Sequence, residues 1–202
     1  MSMKRFNIYL LRHGEITDKD SLAGHTDFNV TELGRAQMIS SATDLEFELC
    51  MSSPLKRCRK TAEQIAQLKD VSLLVEAGLK EMNFGDWDGL PYEQLWQLPT
   101  PNIGDFWQTP YQHTPPNGES FNDFVGRVKL WWHAFVDQVD QNTLVVTHAG
   151  VIKCLLALLL SDENQPKQIE KIATTVSIQY GGIVQLSCFK EENCPAHVQV
   201  RL

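Results

Sequence analysis

The 202-residue chain has no surplus of positive charge, no cysteine pairing pattern and no long apolar run, and each absence removes a class of protein. Lys and Arg number 18 against 25 Asp and Glu, a net charge of −7. Binding to nucleic acid by counterion release needs a basic face, so no nucleic-acid partner is expected, and an anionic ligand must find a local cluster of cations. The most apolar stretch, "VIKCLLALLLS", is about half the length of a membrane span. The opening "MSMKRFNIYLLRHG" runs straight into charge without the apolar core and small-residue cleavage site of an export signal, so no membrane association is expected. Five scattered cysteines (Cys50, Cys58, Cys154, Cys188 and Cys194), odd in number and without a C-x-x-C pair, fit a reduced, cytoplasmic compartment.

Several catalytic signatures are also missing. The histidines show neither H-x-x-x-H nor H-E-x-x-H spacing and no Cys/His cluster, so neither a metal nor another cofactor is expected. No G-x-x-x-x-G-K-[ST] loop is present, which argues against nucleoside triphosphate hydrolysis. No cysteine is followed six residues later by arginine, as a cysteine-nucleophile phosphatase would want. "DWDG" at Asp86 to Gly89 lacks the later ligands of a calcium loop.

What is present alternates strand-like and helix-like segments. "RFNIYLL" reads as a buried strand, "TELGRAQMISSATDL" as a helix capped by Thr31, "FELCMSS" as a short strand. "SPLKRCRKTAEQIAQL" reads as a helix with Ser53 at the N-cap and Pro54 at its first position. "VSLLV" suggests another strand. From about 78 to 118 the periodicity stops and aromatics crowd in, which predicts a packed excursion over the active site. A long amphipathic helix follows from Ser120, with Phe121, Phe124, Val125, Val128, Trp131, Trp132 and Phe135 on its apolar stripe. "NTLVVTHAG" is a strand running into a helix through "VIKCLLALLL". "TVSIQYGGIVQLSCF" reads as a hairpin around Gly181 and Gly182, with "HVQVRL" as a last strand. The alternation predicts a single α/β domain over residues 1–202, a three-layer sandwich with a mostly parallel central sheet.

Two strands end alike, "YLLRHG" at His13 and "VVTHAG" at His148. In open α/β sheets ligands bind beyond the carboxyl ends of the strands, so both imidazoles are expected at one crevice. In "SPLKRCRKTAE" the cations Lys56, Arg57, Arg59 and Lys60 crowd the start of a helix, where the macrodipole disfavours them by about 0.3–1 kcal/mol each. A bound anion would explain the placement, with Arg57 as the ligand contact and the other three solvated. Arg12, Arg57, His13 and His148 then form a plausible phosphate site: guanidiniums grip oxygens in pairs, and an imidazole can accept a phosphoryl group.

"LLRHGE", "VTELGRAQ", "SSPLKRCRKTAE", "LKEMNFGDWDG" and "VVTHAGVI", in this order over nearly the whole chain, resemble the histidine phosphatase superfamily, the phosphoglycerate mutase-like proteins. The resemblance implies that fold, a metal-independent phosphomonoesterase working through a phosphohistidine, and a small-molecule phosphomonoester as its partner. It implies His13 as the nucleophile, with Arg12, Arg57 and His148 around the phosphate. It also implies Glu81 as the acid for the leaving oxygen and then the base for water; the residues alone do not choose between Glu81, Asp86 and Asp88. Asn83-Phe84-Gly85 after Glu81 departs from the mutase pattern and favours a phosphatase. "FGDWDGLPYEQLW" with "PPNGESFNDF" is similar to the branch acting on α-ribazole-5′-phosphate in cobalamin biosynthesis. Many members carry an asparagine after "RHGE"; here Lys19, His25 or a backbone group would have to replace it. The complete set of five site residues speaks against a non-catalytic phospho-ligand-binding relative.

Overall fold

A strand covered on both faces has to be apolar at every position, and "IYLL" at residues 8 to 11 meets that demand. In the computed structural model, which describes residues 3–162, 165–191 and 196–201, these residues lie in β1 (Lys4–Arg12). The other strands are β2 (Leu49–Ser52), β3 (Ser72–Val75), β4 (Thr143–Thr147), β5 (Ile183–Lys190) and β6 (His197–Arg201). They form one six-stranded sheet in the order β3-β2-β4-β1-β5-β6. β3, β2, β4 and β1 pair in parallel, while β5 runs antiparallel to β1 and to β6.

Alternate residues of the sheet feed two separate cores, as the two-residue period of a strand requires. Ile8 and Leu10 pack with Met51, Val145, Val184 and Leu186. Over them lie α5 (Phe121–Val136), α6 (Ala149–Leu160) and α7 (Pro166–Thr175). Tyr9 and Leu11 point the other way, with Cys50, Leu144 and Val146, under α1 (Glu32–Thr43) and α2 (Lys56–Lys69). The chain is thus an α/β three-layer arrangement with helices on both sides of a mostly parallel sheet. Full burial of each aliphatic side chain contributes roughly 1.5–3 kcal/mol, enough to make register slips costly on either face.

Between β3 and α5 the chain forms two 3₁₀ turns (Ala77–Leu79 and Gly85–Trp87) and the short helices α3 (Tyr92–Gln97) and α4 (Ile103–Gln108). Trp87 and Phe106 of this excursion are buried, with Leu95 and Ile103, in the cluster that holds α5 and α6, and Phe84, Tyr92 and Tyr111 pack partly buried against it. Trp96 and Trp107 stay exposed and pack edge to face, with ring centroids 5.7 Å apart.

Two sequence expectations are corrected. α2 begins at Lys56 rather than Pro54, and its cap position is Leu55, without a side-chain cap. Ser53 lies two residues before the cap position, where its hydroxyl accepts the Leu55 N–H at 3.3 Å and pairs with the His148 ring; Asp27 Oδ1 accepts the Lys56 N–H at 2.7 Å. There is no hairpin around Gly181 and Gly182: residues 176–182 are loop, and the hairpin is β5 with β6. The loop's polar groups serve the end of β1, where the Ile178 carbonyl accepts from Arg12 and the Gly181 N–H reaches the His13 carbonyl. Cys50, Cys58, Cys154 and Cys188 are buried and free, and Cys194 lies outside the described residues.

Candidate active site

β1 and β4 are in parallel register, Arg12 opposite Thr147, so the residues that follow them leave the sheet side by side. His13 and His148 accordingly face each other with ring centroids 5.3 Å apart. In front of His13 lies a cavity of about 420 Å³. Arg12, His13, Glu81 and Lys153 supply its charged and titratable wall, and Phe84, Tyr92, Phe106, Trp107, Phe121 and Phe124 its aromatic wall.

The His13 ring is held in one tautomer. Its Nδ1 lies 2.8 Å from the Gly14 carbonyl oxygen, which can only accept, so Nδ1 carries the proton and the Nε2 lone pair is free. Burial, with the nearby Arg57 and Arg12 charges, pushes the His13 pKa down to about 3. The ring is therefore uncharged at neutral pH. Gly14 has no room for a side chain: a Cβ there would stand 1.9 Å from the Gly34 carbonyl oxygen of α1.

Arg12 lies with its guanidinium carbon 3.9 Å from the Tyr180 ring centroid. Nη1 donates to Ile178 O at 2.6 Å, while the buried Nε has no protein partner. A buried donor without a partner is rare in a folded protein, and this one belongs to a residue that lines the cavity next to His13.

Glu81 is buried against the start of α6. Its Oε2 accepts the Gly150 N–H at 3.0 Å and its Oε1 the Met82 N–H at 3.0 Å. Gly150 permits this approach, because a Cβ there would lie 2.1 Å from Glu81 Oε1. The segment before Glu81 is clamped by Arg127 of α5, which donates to the Gly78 and Lys80 carbonyls at 2.9 and 3.0 Å. Glu119 holds the same guanidinium through Nε and Nη2, both at 2.9 Å.

Arg57 and His148 stand behind the cavity rather than along it. Arg57 is fully buried. Its Nε donates to His148 Nδ1 at 3.2 Å, and its terminal nitrogens donate to the Thr26, Ala23 and Gly24 carbonyls at 3.0, 3.0 and 2.6 Å. Because Nδ1 of His148 accepts, its Nε2 carries the proton and donates to Ser53 Oγ at 2.8 Å. Burial first, then the Arg57 charge, holds His148 neutral, well below the usual histidine range. Lys56, Arg59 and Lys60 meet Asp27, Glu63 and Asn29, so the cations at the start of α2 are answered by oxygens of the chain itself.

The loop that receives Arg57 is fixed by Asp88, a residue whose importance the sequence did not reveal. Its carboxylate accepts four main-chain N–H groups, from Gly24, His25, Thr26 and Phe84, at 2.8–3.0 Å. His25 Nε2 donates to the Glu81 carbonyl at 3.0 Å, whereas Lys19 is exposed and does not line the cavity. Among the described residues no three His, Cys, Asp or Glu side chains converge as a metal site, and no helix is long and apolar enough to cross a membrane.

The neutral rings set a pH dependence of stability. Unfolded, His13 takes up a proton near pH 6.5, but folded it stays neutral down to about 3. Between these values the unfolded state binds more protons, so this contribution is complete above pH 6.5 and declines as the pH falls toward 3. His148 acts in the same direction. A Tm that already falls between pH 6.5 and 5.5, above most carboxylate titration, is the expected result. A flat profile there would contradict the neutral pair.

Residues 8–188 match the sequence profile of the histidine phosphatase superfamily, branch 1. A 2,3-bisphosphoglycerate-dependent phosphoglycerate mutase of Bartonella bacilliformis is 30% identical over 190 residues, covering 87% of this chain and 92% of the relative. An adenosylcobalamin/alpha-ribazole phosphatase of Salmonella typhimurium is 33% identical over 165 residues, covering 76% of this chain and 79% of the relative. The solved structure of a mycobacterial glucosyl-3-phosphoglycerate phosphatase superposes with a TM-score of 0.80 at 25% identity, covering 98% of this chain and 97% of that one. With its fold and its sequence agreeing over nearly their whole length, the chain belongs to the histidine phosphatase superfamily, and is a phosphoric monoester hydrolase of that family.

Proposed function

We propose that this protein hydrolyses phosphomonoesters without a metal, through a phosphoryl group carried on His13 Nε2. The observation that carries this reading is the locked His13 tautomer: with Nδ1 donating to Gly14, the free lone pair belongs to the nitrogen that remains for attack. Arg12 offers its orphaned Nε to the phosphoryl oxygens. Glu81 protonates the leaving oxygen, then takes the proton from the water that attacks phosphorus and frees His13. Arg57 and His148 support the site from behind His13 without lining the cavity, the former holding the latter through Nε.

Within this reaction we infer α-ribazole-5′-phosphate as the substrate. The support is the likeness to alpha-ribazole phosphatases and the aromatic wall, whose Tyr92 and Trp107 rings lie 5.9 Å apart at the cavity and suit a large planar leaving group. Phosphoglycerate and sugar phosphates are the competing substrates, given the mutase relatives and the glucosyl-3-phosphoglycerate phosphatase neighbour. The expected result is turnover undiminished in chelator, acid-labile phosphate trapped on the protein, and a kcat/KM for α-ribazole phosphate at least about tenfold above sugar phosphates, phosphoglycerate and mononucleotides. A tenfold preference needs only about 1.4 kcal/mol, within the reach of one stacked ring. An α-ribazole value no higher than the others would remove that substrate and leave the chemistry standing.

A further inference from the structure

Lys153 is the only charged residue of α6, whose sequence AGVIKCLLALLL is otherwise apolar. It is half-buried and lines the cavity with Arg12, His13 and Glu81. Its ammonium makes no hydrogen bond or ion pair with any described residue. Burial lowers its pKa, with the Glu81 charge opposing. With no acceptor among the described residues, its ammonium is left to face whatever enters the cavity, water or a ligand.

The electrostatics of the cavity show which ligand group that is. His13 is neutral, and Arg57 is committed to His148 and three carbonyls, so Arg12 and Lys153 are the cations that line the cavity among the described residues. A phosphomonoester dianion placed beside the Glu81 carboxyl would leave Arg12 alone against several negative charges. Gly150 and Lys153 are three residues apart and share one face of α6, about 5–6 Å between side-chain origins. Gly150 is the residue whose N–H holds Glu81. Lys153 therefore stands one turn from the proposed acid.

We propose that Lys153 is a phosphate-binding residue of this site, its ammonium donating to a nonbridging phosphoryl oxygen on the side where Glu81 meets the leaving oxygen. This rests on the phosphohistidine reading above. It gives the site a second cation from α6, in the role that the sequence alone suggested for Arg57.

The test is calorimetric titration of inorganic phosphate into wild type, Lys153→Met and Lys153→Arg, with kcat/KM on p-nitrophenyl phosphate measured alongside. Lys153→Met is expected to weaken phosphate binding by about 10- to 100-fold and to lower kcat/KM by a similar factor, with most of both recovered in Lys153→Arg. Its Tm should stay at or above that of wild type, since the change removes no hydrogen bond or ion pair with a described residue. Lys153→Gln gives the same reading if the methionine variant does not fold. Phosphate affinity in Lys153→Met within twofold of an active wild type overturns the assignment of Lys153 alone. A wild type that neither binds inorganic phosphate nor turns over p-nitrophenyl phosphate overturns the phosphatase reading itself.

Discussion

Replacing His13 with alanine is expected to lower kcat on every phosphomonoester by at least about 10⁴-fold, the scale on which removal of an enzyme nucleophile usually acts. The reason is specific to this site. With Nδ1 donating to the Gly14 carbonyl and burial keeping the ring uncharged, His13 presents one unprotonated nitrogen to the cavity. The other imidazole cannot substitute, because both nitrogens of His148 are engaged, one by Arg57 and one by Ser53. Acid-labile phosphate should vanish from the variant together with turnover, while its far-ultraviolet dichroism stays that of wild type. Activity within tenfold of wild type in a folded His13→Ala protein would end the phosphohistidine mechanism.

The second large effect is expected at Glu81, and it should depend on the leaving group. Glu81→Gln keeps the size of the side chain and one oxygen for the Gly150 N–H, gives up the bond from the Met82 N–H, and can neither give nor take a proton. An alkyl alcohol departs slowly as a bare alkoxide, so alkyl phosphates should lose about 10²–10⁴-fold in kcat. Nitrophenolate leaves without help, so p-nitrophenyl phosphate should form the phosphoenzyme at close to the wild-type rate, and slow hydrolysis of that intermediate should appear as a burst. Equal losses on both ester types, with no burst, would move the acid to another residue. Asp86 and Asp88 are the alternatives nearest in sequence, and Asp88 is fully occupied with main-chain N–H groups.

What the sequence disclosed follows a physical pattern. His13 and His148 were legible because a polar residue at the end of a fully apolar strand has few structural reasons to be there, and parallel strands bring such ends together. The sheet was legible for the same reason, since strands buried on both faces read as unbroken apolar runs. Arg57 was visible as an electrostatic misfit at a helix start, but misfit does not give direction; its guanidinium turns to the carbonyls of residues 23–26. Ser53 looked like a helix cap because hydroxyl residues before proline usually are, and only the tertiary contact with His148 reveals its other use. The hairpin expected at Gly181 and Gly182 failed likewise, since turn residues mark a chain reversal without saying which strands it joins. Lys153 passed unnoticed because one lysine in an apolar helix reads as a side chain reaching toward water.

The position of β1 has a consequence for how this chain comes to exist. β1 is flanked by β4 and β5, both made after it, so Leu11 waits for Val146 on one side and Ile183 on the other. At roughly 5–20 residues per second on the ribosome, both edges of β1 stay open for many seconds, and its hydrogen-bond donors and acceptors are exposed to any other strand nearby. The surroundings of His13 at its end wait almost as long, until Ile178, Tyr180 and Gly181 arrive just ahead of Ile183 to seat Arg12 and His13. A nascent chain therefore carries His13 long before it has made the residues that seat it.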